Sequence, residues 1–158
     1  MNDKVLTLDA LAAKARDLRT RGQKLVATNG CFDLLHVGHV RYLQAARRMG
    51  DALVVGVNGD ASVRALKGES RPLNGEAERA EILAALAAVD FVTIFPQLRA
   101  TEFLKRARPA VYVKGGDYTP ETLDADERSA LSEVGAEIRI IPFEAGYSTS
   151  SLIERINC

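Results

Sequence analysis

Tryptophan is absent from these 158 residues, and cysteine and methionine occur only twice each. Two cysteines, Cys31 and Cys158, are too few for a disulfide framework, and neither stands in a metal-ligand spacing. A surplus of charge is also missing: 21 Lys plus Arg balance 21 Asp plus Glu. No global field therefore steers the chain toward nucleic acid or a membrane surface, and any anion site must be local. Apolar runs of membrane length are lacking, and Met1 to Leu6 does not read as a signal peptide, so the chain is expected to be cytoplasmic with no membrane partner. Internal repeats and low-complexity tracts are absent as well. What is present is an ordinary globular mixture, 47% hydrophobic and 27% charged, in a length that suits one domain over 1–158.

Thr7 to about Arg19 predicts an amphipathic helix, with Thr7 as its cap and Leu8, Leu11, Ala12, Ala15 and Leu18 at helical spacing. With Arg21-Gly22 as its end, residues 1–22 form a helical extension before the first strand, Lys24 to Asn29. A regular alternation follows. Strands are expected over Ala52 to Asn58, Phe91 to Phe95, Ala110 to Lys114 and Glu137 to Ile141. Helices are expected near Val37 to Arg48, Glu76 to Ala88, Arg99 to Ala107, Asp126 to Glu133 and Ser150 to Ile156. Five strands separated by helices imply a Rossmann-like, doubly wound α/β fold with a parallel sheet, since each connection must cross the sheet and return. The polar, turn-rich stretch Lys67 to Gly75 is a candidate lid.

Open α/β sheets bind ligands beyond the carboxyl ends of their strands, so the residues just after each strand carry the interest. After the first come Asn29, Gly30, Cys31, Phe32, Asp33, Leu34, Leu35, His36, Val37, Gly38 and His39, which include both histidines of the chain. Three residues apart at a helix start, His36 and His39 can share one side with the free N–H groups there, and glycines let backbone approach a phosphate. On spacing alone a polar helix start explains the pair more simply. Their placement between a buried strand and a helix is what favours a nucleotide. Asp33 equally reads as a helix-entry cap or as a group that orients an acceptor or a metal-bound water. Ser148-Thr149-Ser150-Ser151 precedes the last helix and exceeds what a cap needs.

The stretch Gly30 to His39 resembles the His-x-Gly-His signature of the cytidylyltransferase-like nucleotidyltransferases. Further segments agree in order and spacing: Val57 to Val63, Lys67 to Asn74, Val113 to Tyr118 and Ser148 to Ser151. Together they look like the heptose 1-phosphate adenylyltransferases of bacterial surface-sugar synthesis, over roughly Lys24 to Ile156. The resemblance implies adenylyl transfer from ATP, with Mg2+, to a sugar 1-phosphate. His36, His39 and Lys67 would be catalytic, the histidines holding the triphosphate as pyrophosphate leaves. Asn29, Gly30, Cys31, Phe32, Gly38, Arg71, Lys114, Gly115, Asp117, Ser148, Thr149 and Ser150 would bind the nucleotide, and Asp33, Asn58 and Asp60 the acceptor. Arg79 is as readily a surface charge as a phosphate ligand. No dedicated metal ligands are implied; a separate sugar kinase in the pathway and a homo-oligomer are.

Glycerol-3-phosphate cytidylyltransferases tend to have a lysine in the final Ser/Thr motif and Gly-Asp-Asp-Trp after the fourth strand. Ser151 and Gly115-Gly116-Asp117-Tyr118 stand there instead, which favours ATP over CTP. One stretch departs from the heptose branch as well, since Thr122 to Glu127 is more acidic than is common there. A CTP-dependent enzyme acting on a polyol or amino-alcohol phosphate and a nucleotide-binding module without turnover are the competing readings. Both histidines together with Lys67 and the serine-rich segment point to turnover.

Overall fold

The computed structural model describes residues 2–116, 118–142 and 144–157. Strand β1 (Leu25–Gly30) is the centre of a five-stranded parallel sheet, paired with β2 (Ala52–Asn58) on one side and β4 (Val111–Gly115) on the other. Strand β3 (Phe91–Phe95) lies outside β2 and β5 (Glu137–Ile141) outside β4, giving the order β3-β2-β1-β4-β5. Every residue of β2 is buried, as expected of a parallel strand covered on both faces.

Alternate side chains serve opposite faces. Leu25, Ala27, Val54 and Tyr112 pack beneath α1 (Leu8–Thr20), α5 (Thr101–Ala107) and α6 (Ala125–Glu133), through Leu11, Ala15, Phe103, Leu104 and Leu131. Val26, Leu53, Val55 and Val113 face α2 (Val37–Arg47) and α4 (Glu76–Ala84), through Leu43, Ala46, Ala80 and Leu83. The fold is the doubly wound α/β class that the alternation implies. Among the described residues no helix is long and apolar enough to cross a membrane.

The extension before β1 is built into this body. Thr7 caps α1 by accepting the Ala10 N–H, Leu11 and Ala15 are fully buried, and Leu6 and Lys4 exchange backbone hydrogen bonds with Val92 along the free edge of β3. Helix α3 (Asp60–Lys67), by contrast, has no counterpart in the sequence reading. Gly59 caps it without a side-chain bond, and its eight residues are fewer than the roughly 11–18 over which a helical period is read. It moves Lys67 from a loop to the last turn of a helix. The winding reverses between β1 and β4, which opens a crevice at their carboxyl ends. Helix α7 (Thr149–Ile156) closes the chain beside it.

Candidate active site

The start of α2 is capped by two imidazoles. His36, in extended conformation (φ −134°, ψ 175°), accepts the Gly38 N–H on Nδ1 at 3.1 Å, and His39 Nδ1 accepts the His36 N–H at 3.3 Å. This reciprocal arrangement is a capping box, a role that Ser or Thr and Glu usually fill. A nitrogen that accepts carries no proton, so each neutral ring bears its hydrogen on Nε2. Burial lowers the pKa of both, and that of His39 is pulled down to about 4, first by burial and then by His36. At neutral pH the pair thus presents two uncharged N–H donors. The ring centres lie 3.9 Å apart, and Phe32 packs 5.5 Å from His39 from a left-handed backbone (φ 49°), a conformation uncommon for a bulky residue.

Asp33 fastens the next wall. Its buried carboxylate accepts Arg71 Nε at 2.6 Å, the Leu73 N–H at 2.8 Å and the Asn74 N–H at 3.0 Å. Burial alone would raise its pKa, but the two backbone donors and the guanidinium outweigh that and hold it below the usual carboxylate value. Half of the expected lid, from Arg71 to Asn74, is therefore pinned to the end of β1. Arg79 is fully buried, and its guanidinium donates to the carbonyls of Cys31, Asn58 and Asn74 and to Asp60 Oδ1. It ties the ends of β1 and β2 to the starts of α3 and α4, a structural role in place of a surface or phosphate-binding one.

A cleft of about 1290 Å³ lies over these strand ends. Asn29, Gly30, Cys31, Phe32, Asp33, His36, Gly38, His39, Asn58, Lys67, Arg71, Lys114, Gly115, Ser148, Thr149 and Ser150 all line it. Asp60, paired with Arg79, is not among the lining residues, and Asp117 lies outside the described residues. Ser148 caps α7 by accepting the Ser151 N–H at 2.9 Å, while Thr149 Oγ1 donates to the Leu34 carbonyl at 2.9 Å. That bond sets the start of α7 beside the start of α2, so two helix N-termini open on one cleft. Lys114 stands opposite with Nζ 4.8 Å from the centre of the Tyr118 ring, and burial lowers its pKa.

Several lining residues escape sequence reasoning. Arg41 pairs with Glu144 across 103 positions and covers Tyr147, whose ring stacks on His36 at 6.3 Å. Arg99, Asp124 and Glu127 line the opposite end. The excess acidity of Thr122 to Glu127 is the only trace of that end in the sequence.

Residues 27–155 match the family model described as Cytidylyltransferase-like. The chain belongs to the cytidylyltransferase-like family. Relatives include the bifunctional protein HldE of Geotalea uraniireducens (strain Rf4), 56% identical over 153 residues, and that of Geobacter metallireducens, 50% identical over 153 residues. Both alignments cover 97% of this chain but 31% of the relative, so the chain spans under a third of these proteins. Among solved structures, the lipopolysaccharide core biosynthesis protein of Thermoplasma volcanium superposes with a TM-score of 0.64 at 26% identity, covering 78% of this chain and 98% of its own. A pantoate-beta-alanine ligase of Francisella tularensis, complexed with beta-gamma ATP and beta-alanine, shares the fold with a TM-score of 0.59 at 14% identity, over 92% of this chain and 68% of its own. The histidine-capped start of α2 falls within the cytidylyltransferase-like match.

Proposed function

We propose that this chain transfers the adenylyl group of ATP to a sugar 1-phosphate, heptose 1-phosphate by its family resemblance, releasing pyrophosphate. The observation that carries the reading is the pair of Nε2–H donors on His36 and His39, set where the starts of α2 and α7 open on one cleft. An oxygen of the acceptor phosphate attacks the α-phosphorus in line, and the bond from that phosphorus to the bridging oxygen breaks as pyrophosphate departs. No protein nucleophile is needed; alignment and charge stabilisation suffice.

His36 and His39 donate to the phosphate oxygens on which charge builds. Each ring meets the phosphates as a neutral Nε2–H donor, because a second proton would have to sit on an Nδ1 that already accepts a backbone N–H. Lys67 and the hydroxyls of Ser148, Thr149 and Ser150 complete the phosphate cradle, and Lys114 and Gly115 border the nucleoside. Asn58 meets the acceptor. Asp33 acts through the loop that it anchors, since its oxygens are already engaged.

Mg2+ fits this site as an ion carried by the triphosphate, where it would neutralise charge on the β and γ phosphates. Among the described residues no three His, Cys, Asp or Glu side chains gather to hold a cation, and the Asp33 carboxylate is filled. Such hard ions keep several waters and bind through substrate phosphates. The HldE relatives are described as bifunctional and are much longer, so the sugar kinase that supplies the acceptor belongs to a separate protein or to the rest of a longer chain. Pyrophosphate release measured with ATP and CTP against a panel of sugar, polyol and amino-alcohol phosphates tests the reading. Release only with ATP and a sugar 1-phosphate is expected; release only with CTP, or none, overturns it.

A further inference from the structure

Asn29 stands at the carboxyl end of β1 and lines the cleft, but the group that holds it lies out of a ligand's reach. Tyr112 is the partner of Ala27 where β4 pairs with β1, and side chains alternate along a strand, so Ala27, Asn29 and Tyr112 share one face of the sheet. The Tyr112 ring is fully buried in the core on that face and is not among the lining residues. Its hydroxyl alone reaches the cleft wall, where it donates to Asn29 Oδ1 at 2.5 Å. Phenylalanine would fill the same core. A buried hydroxyl destabilises a core unless it is partnered, and among the described residues Asn29 is the partner. Burial, and after it the charge of Glu127, hold the phenol's pKa well above its usual value, so it keeps its proton and remains a donor. With the Asn29 amide turned the other way, that proton would point at an NH2 group. The bond therefore fixes Oδ1 toward the core and Nδ2 toward the cleft. Among the described residues Nδ2 makes no hydrogen bond. Tyr42, on the opposite face, gives a contrast: its hydroxyl meets Thr28 Oγ1 at 2.6 Å and the Val113 carbonyl at 3.1 Å, and it orients no side chain that lines the cleft.

We infer that Tyr112 is a positioning residue for the nucleotide: by holding Oδ1 of Asn29 it aims two amide N–H donors at anionic oxygens of the bound triphosphate. The inference rests on the part of the transfer reading that puts a triphosphate in the cleft, and it does not require turnover. Two effects follow from the bond. The amide is ordered before the nucleotide arrives, which spares binding the cost of fixing a side chain. The phenol also withdraws electron density through Oδ1, which makes the Nδ2 hydrogens better donors to a charged oxygen.

The test is calorimetric titration of the wild-type chain, Tyr112→Phe, Asn29→Ala and the double variant with a non-hydrolysable ATP analogue and Mg2+. Asn29→Ala is expected to weaken the analogue about tenfold, the worth of a hydrogen bond to a charged group. Tyr112→Phe keeps the ring and should weaken it about threefold, the cost of ordering one side chain. The double variant should bind no more weakly than Asn29→Ala, because Tyr112 acts through that amide. Tyr42→Phe removes a buried hydroxyl from the same sheet, so it should lower the melting temperature as Tyr112→Phe does while changing analogue affinity less than about twofold. In the wild-type chain the side-chain amide signals of Asn29 should shift in NMR spectra when the analogue binds, a readout that survives even if Tyr112→Phe does not fold. Unchanged affinity in a folded Tyr112→Phe, losses that multiply in the double variant, an equal loss in Tyr42→Phe, or unmoved Asn29 amide signals overturn the inference. Pyrophosphate release separates it from the transfer reading. Normal release with affinity indifferent to Tyr112→Phe removes the positioning role alone, and the expected affinities without release removes the transfer reading alone. No binding of the analogue to the wild-type chain removes both.

Discussion

His36 and His39 together cap the start of α2, His39 Nδ1 accepting the His36 N–H and His36 Nδ1 the Gly38 N–H, with ring centres 3.9 Å apart. The folded state therefore holds His39 neutral, with its pKa pulled down to about 4, whereas an unfolded histidine titrates near 6.5. Between these values the unfolded chain binds more protons, so stability rises with pH. The contribution is present above about pH 6.5 and is lost as pH falls toward 4. Thermal unfolding of the wild-type chain followed from pH 7.5 to 4.5 should show this slope, and His39→Gln should flatten it. An equal slope in both would mean that His39 is not held neutral.

His39→Ala should leave a folded protein whose chemical step is slowed on the order of a hundredfold, by analogy with the loss of one preorganised oxyanion donor. The nucleotide affinity should change far less, because the donor matters most as charge builds on the leaving phosphates. Single-turnover rates beside ATP titrations check the split. Near-normal turnover in a folded variant would remove His39 from the chemistry.

The Asp33 carboxylate is the clasp of the segment Arg71 to Asn74. Asp33→Asn replaces one of its oxygens with a donor that faces donors, at a cost of about 2 kcal/mol in denaturant unfolding. Because the folded carboxyl is held below its usual pKa, its contribution is present above the unfolded value and lost as pH falls through the folded one. Hydrogen exchange at Leu73 and Asn74 should quicken in the variant. In the wild-type chain, only the exposed part near Gly68 to Ser70 should gain protection when ATP and Mg2+ bind. Equal protection of Leu73 in both proteins would show that Asp33 is not the clasp.

The strands were legible because buried β-branched runs stand between helical patterns, as in Ala52 to Asn58, and the start of α2 because Gly30 to His39 carries a family signature. What escaped lies in contacts between distant segments. Nothing local marks Arg79 for burial; three carbonyls from Cys31, Asn58 and Asn74 converge on it only in the folded chain. The pairing of Arg41 with Glu144 is similarly invisible, and α3, at eight residues, is too short for its period to stand out. Asp60 could be placed just after β2 from sequence, but its engagement by Arg79 could not.

Preference for ATP over CTP should follow from the loops after β4 and β5. Gly116 has φ +90°, where a side chain is strained, and its N–H donates to the Ile141 carbonyl at 2.9 Å, which ties the two loops together. A base edge that leaves buried groups of this wall unpaired is rejected more strongly than one that merely fills it less well. The kcat/KM for ATP should exceed that for CTP by at least about tenfold, on that principle. Gly116→Val should lower nucleotide use more than acceptor affinity. Equal efficiency with both nucleotides would move the chain to the cytidylyl reading and leave its histidine chemistry intact.

Gly38 separates His36 from Tyr147, and this makes it a test of geometry that leaves both functional rings in place. A Cβ at this position would lie 2.8 Å from His36 Cε1, 2.9 Å from His36 Nδ1 and 3.1 Å from Tyr147 Cβ, closer than carbon atoms tolerate. Gly38→Ala is a mild change for a helix, since alanine is the better helix former by about 1 kcal/mol. The variant should therefore fold, but its His36 ring must swing away, breaking the Nδ1 bond to the residue 38 N–H and the stack on Tyr147. A donor displaced by about 1 Å is expected to lower the rate on the order of a hundredfold. Activity should fall about as far as in His36→Ala, and adding Gly38→Ala to His36→Ala should cost little more, because the two nearest clashing atoms, both of His36, are gone. Full activity in Gly38→Ala, or losses that multiply in the double variant, would show that His36 does not act from the position it holds here.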